Sequence, residues 1–296
     1  MIREPIFKRL SPATQRRVCR FLRRFRQNTL AVAGFIIILL LFVMAIFAPY
    51  FAPYDITQTN VDHALEAPSL AHPFGTDRYG RDILSRVIVG SRIALQVAIT
   101  VPLVAMVVGV PIGLLAGYFG GRFDNVLMRF MDGLFAFPSI LLGLTLVAVF
   151  GQSLLNIIVA LGIVFIPQFA RITRGATVSV VTEDHIKAAQ SLGASHARII
   201  IVHILPFCLS AIVVQATITA ALAILLESSL SFLGIGVSPP PPSWGTMLRS
   251  GREFIHSGYW WYSTFPGLAI VISVLGFNLL GDGLRDVLDP RTSPNR

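Results

Sequence analysis

Few side chains in this sequence are spaced for covalent chemistry. His185, His196 and His203 lie eleven and seven residues apart, too far for two metal ligands on one short helix, where paired histidines usually stand three to five residues apart. His63 and His72 fall in an irregular, turn-rich stretch that gives them no fixed relation. Asp132 with Arg129, and Asp282, Arg285, Asp286 and Asp289, sit beside apolar blocks and not within them, so they read as interfacial charges. No HExxH or serine–histidine constellation falls in an apolar stretch. No GxxxxGK[ST] loop is available to cradle nucleotide phosphates. Cys19, in a basic arm, and Cys208, in an apolar block, would lie at different depths and form no disulfide framework. No catalytic, cofactor-binding or metal-ligating residue is therefore assigned, and the chain reads as a non-enzyme. One acidic side chain stands out: Glu227, at the end of an apolar block. It reads as a helix-end or interdomain hydrogen-bonding group. Ser228, Ser231 and Trp244 are grouped with it as a candidate site.

The elements that must position these residues are membrane helices. Of 296 residues, 54% are hydrophobic and 13% are charged, against ~25% charged in soluble domains. Leu30–Ala48, Ile93–Tyr118, Leu134–Phe150, Ser153–Ala170, Leu205–Leu226 and Phe265–Leu280 contain no Asp, Glu, Lys or Arg, and each is near the ~20 residues a spanning helix needs. Six spans follow, at about 30–48, 93–118, 134–150, 153–170, 205–226 and 265–282, within a membrane domain over 29–284, where Glu227, Ser228, Ser231 and Trp244 make a candidate translocation path or outer gate. An arm over 1–28 and a tail over 285–296 flank it. With the N-terminus in the cytoplasm, eighteen Lys and Arg fall in inside segments and six outside, as the positive-inside rule favours. The net charge of +9 thus orients the chain in a lipid membrane, and no nucleic-acid partner is implied.

Several local readings follow. Residues 15–28 place Val18, Phe21, Leu22 and Phe25 at helical spacing among arginines, a basic amphipathic helix suited to an anionic leaflet. The arm is too long, and Pro49 too close to the only small-residue exit, for a cleaved signal. After Gly75, Thr76 or Asp77 can cap an interfacial helix carrying Ile83, Leu84, Val87 and Ile88 on one face. Gly109, Gly113 and Gly117, four residues apart, allow a close helix contact. Residues 227–262 are too polar and proline-broken to span. Pro239–Pro242 there suits a stiff extended stretch, and Trp244, Trp260, Trp261 and Tyr262 suit the headgroup level.

The stretch from Thr182 to Pro206 is the distinctive one. Helix over 186–191, a turn at Gly193, and Pro206 in the first turn of the next helix together make a short inside helix held between two spans. A partner gripping it would move both spans.

Lys187-Ala188-Ala189, then Gly193, then Leu205-Pro206 resemble the EAA loop of ABC importer permeases. Lys187 stands where that loop usually has Glu, and His203 where it usually has an aliphatic residue; both departures are similar to the peptide branch. GTDRYGRDILSR, GYFGGRFDNVLMRFMD, SLSFLGIGVSPPPPSWGTML and FPGLAIVISVLGFNLLGDGLRDVLDPR are similar to the same branch, the C-type dipeptide, oligopeptide and nickel permeases. The resemblance extends from about Leu30 to Arg291. It implies an all-α, six-span, type I importer bundle with both termini cytoplasmic. It also implies a second homologous permease, two ATPase subunits that bind ATP and Mg2+, and a periplasmic or extracellular solute-binding protein. The coupling loop it implies comprises Asp184, His185, Ile186, Lys187, Ala188, Ala189, Leu192, Gly193, Ala194, Ser195, His203, Leu205 and Pro206. The cargo would be a short peptide, with glutathione, a nickel chelate or a related small solute as alternatives. An ion-coupled carrier or a channel is the competing reading, but proton coupling would leave ionisable groups inside the spans, and the six blocks have none.

Overall fold

A computed structural model describes residues 19, 22–237 and 240–288. Most of the basic arm, Pro239 and Asp289 therefore lie outside the described residues; of the arm, residues 22–27 are helical. Every named element among the described residues is a helix, and none is a strand. α1 is Thr29–Ile46, α2 Ile83–Phe119, α3 Gly121–Phe135, α4 Ser139–Phe150 and α5 Leu154–Val181. α6 is Asp184–Ser191, α7 Leu205–Leu233, α8 Trp244–Gly251 and α9 Trp261–Leu288. Five helices are long and apolar enough to cross a bilayer, and α3 with α4 makes a sixth if that bent pair counts as one span.

Four boundaries differ from the sequence reading, each for a physical reason. The interfacial helix and the second span are one 37-residue helix, α2. Its cap is Asp82 and not Thr76 or Asp77: the Asp82 carboxylate accepts from the Ser85 amide at 2.7 Å. Asp77 holds the preceding turn instead, accepting from the amides of Tyr79 and Arg81 and pairing with the Arg81 guanidinium at 2.7 Å. The charges near the start of α2 looked like a surface segment, yet Arg86 is folded in and donates to the Ile56 carbonyl at 3.0 Å.

The third span is not a single helix. α3 and α4 meet at 87°, where Pro138 bars the helix from continuing. At twelve residues, α4 is about 18 Å long, short of a ~30 Å hydrocarbon core. α5 runs eleven residues past Ala170 because Arg171 and Arg174 are paired to Asp132 and Asp124 and so do not force an exit. Pro206, finally, stands in the first turn of α7, as its spacing predicts, but α7 does not start free: His196–Leu233 is continuous, with a π-helical turn over Ile199–Ile204. The Leu205 amide reaches back to the Ile200 carbonyl, and this wider turn accommodates the missing Pro206 N–H.

Small residues bring two helix pairs into backbone contact. A methyl added at Gly109, Gly113 or Gly117 of α2 would fall on Ile166, Ala170 and Thr177 of α5 respectively, as the spacing of the glycines anticipates. The second pair, α1 with α9, meets through Gly34, Gly276 and Gly283, the last pressed on Ala31. Asn28 ties the same pair together: it caps α1 through the Ala31 amide and donates to Asp286 at 3.1 Å. One apolar core joins α2, α5, α6 and α7, and a second joins α1, α2, α8 and α9. Outward-facing Leu40, Val107, Phe130 and Val149 are exposed, as expected of a bundle whose solvent is lipid.

The aromatic residues after α7 also differ from expectation. Trp244, Trp261 and Tyr262 are buried, and only Trp260 is exposed. Trp244 donates its indole N–H to the Val87 carbonyl at 2.9 Å. These rings pin α8 and α9 to α2; three of the four are packing residues and not headgroup anchors.

The α2–α5 contact yields a test. Gly113→Ile should lower the melting temperature of the purified chain and broaden its size-exclusion peak, since overpacking typically costs about 1–3 kcal/mol. Gly175→Ala, whose methyl would meet nothing within 4 Å, should leave both unchanged. Equal behaviour of the two variants would show that α2 and α5 do not touch there.

Candidate functional site

The loop from Thr182 to Pro206 is built by successive backbone solutions. α5 closes with the Glu183 amide bonded to the Val180 carbonyl at 3.0 Å. α6 follows at once, with Asp184 in its first turn, a placement the helix dipole favours. α6 ends in a Schellman motif: the Gly193 amide donates to the Gln190 carbonyl at 2.9 Å and the Ala194 amide to the Ala189 carbonyl at 3.1 Å. Gly193 has φ +77°, a conformation open to glycine at little cost. Ser195 then caps the next turn through the Arg198 amide, a long contact of 3.4 Å.

One side chain holds α6 to the bundle. Ile186 is fully buried and shares the larger core with Ile199, Ile204 and Cys208. The rest of the loop faces outward: Asp184, His185, Lys187, Ala188, Leu192, Gly193 and Ser195 are exposed, and Ala189 and Ala194 are partly buried. Leu192 is 88% exposed at the tip, an apolar knob with no covering residue among those described. Lys187 approaches Asp184 only at 3.5 Å across the exposed face, a contact of little energy. His203 and Leu205 are partly buried and Pro206 is exposed. The three histidines do not converge. The His185 ring lies 5.3 Å from that of Phe207, and His196 meets the Tyr118 hydroxyl at 2.7 Å. No group of three potential metal ligands occurs among the described residues.

Two ion pairs beside the loop escaped the sequence reading. Arg174 of α5 grips Asp124 of α3 with both guanidinium arms, at 2.5 and 2.6 Å. Arg171 meets Asp132 at 2.7 Å and lies 4.2 Å over the Phe135 ring. Asp124 and Asp132 are eight residues apart on α3, and Arg171 and Arg174 three apart on α5, unequal spacings that gave the sequence no pairing signal. Also on α5, Gln168 accepts from Gln215 of α7 at 3.0 Å, and Gln215 also donates to Thr219. The helix that ends in the loop is thus bolted to α3 and to α7.

Glu227, Ser228, Ser231 and Trp244 lie together at the far end of α7. All are buried inside this chain, from 0% to 4% exposed. Ser231 donates to one Glu227 carboxylate oxygen at 2.7 Å, and Ser228 approaches the other at 3.4 Å. Of the four, Ser231 borders an open recess on that face, while Trp244 lines an apolar hollow against α1, α2 and α9.

Comparison with known proteins supplies the family. Residues 109–294 match the model of the binding-protein-dependent transport system inner membrane component. Residues 19–68 match the N-terminal transmembrane domain of oligopeptide transport permease C. The dipeptide transport system permease DppC of Alkalihalophilus pseudofirmus is 44% identical over 91% of this chain and 88% of its own. The glutathione transport system permease GsiD of Escherichia coli is 46% identical over 92% of this chain and 89% of its own. In fold, the chain is similar to two crystal forms of the inward-facing methionine ABC transporter MetNI. Their TM-scores are 0.56 and 0.58 at 21% and 22% identity, covering 68% and 70% of this chain and 95% and 98% of the matched chains. These relatives are ABC permeases, which disfavours the ion-coupled carrier or channel. With the family model covering more than half of its length, this chain belongs to the inner membrane components of binding-protein-dependent transport systems: it is a multi-pass inner-membrane permease subunit of an ABC importer, and not itself the ATPase.

Proposed function

We propose that this chain moves short peptides inward as one of two homologous permeases, and that Asp184–Pro206 is the cytosolic grip of an ATPase subunit. The observation that carries the reading is the construction of that loop. A short helix leaves most of its surface exposed, yet stays anchored by Ile186 to the core of α5 and α7. ATP and Mg2+ would be held by two partner ATPases, since this sequence has no phosphate loop. A solute-binding protein would deliver cargo to the opposite face. The names of the relatives, dipeptide and glutathione permeases, support a peptide-like cargo. The eighteen-to-six division of Lys and Arg supports cytoplasmic termini.

The mechanism follows from rigid attachment. When the ATPases close on nucleotide, a docked α6 moves with them. α5 follows directly, α3 follows through Arg174–Asp124 and Arg171–Asp132, and α7 follows through Gln168–Gln215 and the π-helical turn. Nucleotide binding can then shift the bundle between inward- and outward-open states, because the ATPases bind the two states unequally.

Orientation can be tested by thiol labelling in a Cys19→Ser, Cys208→Ala background. An impermeant maleimide should reach Cys introduced at the exposed Ser257 from outside intact cells, and Cys introduced at the exposed Ser191 only in inverted vesicles. The reverse pattern would overturn the proposed topology.

The grip can be tested in reconstituted complex. Ala188→Arg places a charge on the exposed face of α6 and should reduce both ATPase retention and ATP-driven dipeptide uptake at least about tenfold, as expected for a central contact. Gly193→Pro forces φ near −65° where +77° is required; hydrolysis should persist while uptake falls. Coupled transport at wild-type rates in both variants would sink the reading.

A further inference from the structure

At the end of α7 farthest from the coupling loop, four chain segments enclose a recess of about 330 Å³, within the usual range for small-molecule sites. The loop before α2 contributes Arg78, and the α4–α5 turn contributes Gln152. The end of α7 contributes Ser231 and Gly234, and α8 with the turn after it contributes Arg249 and Glu253. The recess is therefore built from elements remote in sequence, on the face that the proposed orientation turns outward.

Its charges have no carboxylate or guanidinium partner among the described residues, although the Arg78 guanidinium lies 4.7 Å over the Tyr79 ring. Among the described residues, Arg78, Arg249 and Glu253 take part in no ion pair. Other arginines on this face are occupied. Arg81 and Arg86 share Asp77, and Arg92 donates to the Ala45 and Ile46 carbonyls at the end of α1. Arg249 is also deliberately seated. Its guanidinium occupies the space where a Cβ on Gly234 would stand, and Gly234 has φ +93°, so only glycine gives the cation this position. The negative end of the α7 dipole favours a cation there, and Arg249 lines the recess.

We infer that this recess binds the zwitterionic backbone of a short peptide, with Arg78 and Arg249 taking the C-terminal carboxylate and Glu253 the α-ammonium group. Guanidinium forks match a carboxylate in shape and charge, and a nearby carboxylate suits a ligand bearing the opposite charge at its other end. The three side chains are exposed, so binding would be weak and reversible, as a station on a transport path requires. The inference rests on the reading of the cargo as a short peptide.

The test uses the complete permease–ATPase complex in nanodiscs without the binding protein, dialysed against radiolabelled Ala-Ala, Ala-Ala-amide or N-acetyl-Ala-Ala. Wild type should retain Ala-Ala. Amidation, or Arg249→Gln, should weaken retention about tenfold, the loss expected of a charge-assisted hydrogen bond, and Arg249→Lys should restore part of it. Glu253→Gln should weaken Ala-Ala binding but leave N-acetyl-Ala-Ala unaffected. Melting temperatures of the variants separate lost binding from lost folding. Absence of retention by wild type, or retention indifferent to these changes in folded variants, overturns the site. ATP-driven uptake of Ala-Ala with the binding protein present is measured in parallel. If uptake fails while recess-dependent retention persists, the cargo reading falls and the site stands; if uptake proceeds while retention ignores the recess, the reverse holds.

Discussion

The contact between α2 and α5 is the constraint on which the remaining geometry depends. Lipid offers no hydrophobic driving force between helices, so association relies on close packing and on polar pairs. Gly109, Gly113 and Gly117 let α2 lie against the α5 backbone, and that contact fixes both ends of the functional apparatus. α5 leads into the exposed loop at one face, and α2 carries the folded segment that supplies Arg78 at the other. Had those glycines been leucines, the two helices would stand apart and the paired side chains beyond them would lose their partners.

Polar groups inside the bundle act as bolts between helices. Arg174–Asp124, Arg171–Asp132 and Gln168–Gln215 all originate on α5. Asp124 and Gln215 are buried, where a polar group is costly unless paired, so their pairs resist separation of the helices they join, whereas the half-exposed Arg171–Asp132 pair adds less. The net stability they add is modest. Their consequence is mechanical: α3, α5 and α7 cannot move independently without exposing an unpaired charge or amide, so displacement of α6 is shared by three helices.

Legibility followed the kind of signal involved. Apolar blocks disclosed the spans, and four-residue glycine spacing disclosed the α2–α5 contact. Gly193 and Pro206 disclosed the loop, because glycine and proline restrict the backbone locally. Charge, however, misled wherever tertiary pairing neutralised it. Arg86, Arg171 and Arg174 looked like the ends of spans, yet α2 and α5 pass straight through them since Ile56, Asp132 and Asp124 satisfy them. Trp244, Trp261 and Tyr262 misled in the same way: an aromatic ring with a polar edge suits a headgroup or a core with a spare carbonyl, and only the fold reveals the Val87 and Thr76 carbonyls that accept the two indole N–H groups. The 87° bend was half visible, since Pro138 marks a break but not its angle.

α7 joins the two ends of the apparatus, and its irregular first turn governs how motion passes along it. A regular helix pushed at one end transmits the displacement along its axis. The π-helical turn at Ile199–Ile204 has one extra residue in its hydrogen-bonded ring, and Pro206 immediately after it removes a donor, so the rod is weakest at the loop and stiff beyond it. Rotation of α6 can therefore be absorbed partly as bending at this turn, while Ile204 and Cys208, buried in the same core as Ile186, limit how far it bends. Beyond Gln215 the helix is held by α5 and, at its far end, by α8, whose Gly245 packs on the Ser228 carbonyl and the Ser231 side chain. A lever with a compliant joint at the driven end and fixed contacts along its shaft converts a swing of α6 into a tilt of the whole helix. The outer end, where α7 meets α8, then travels farthest.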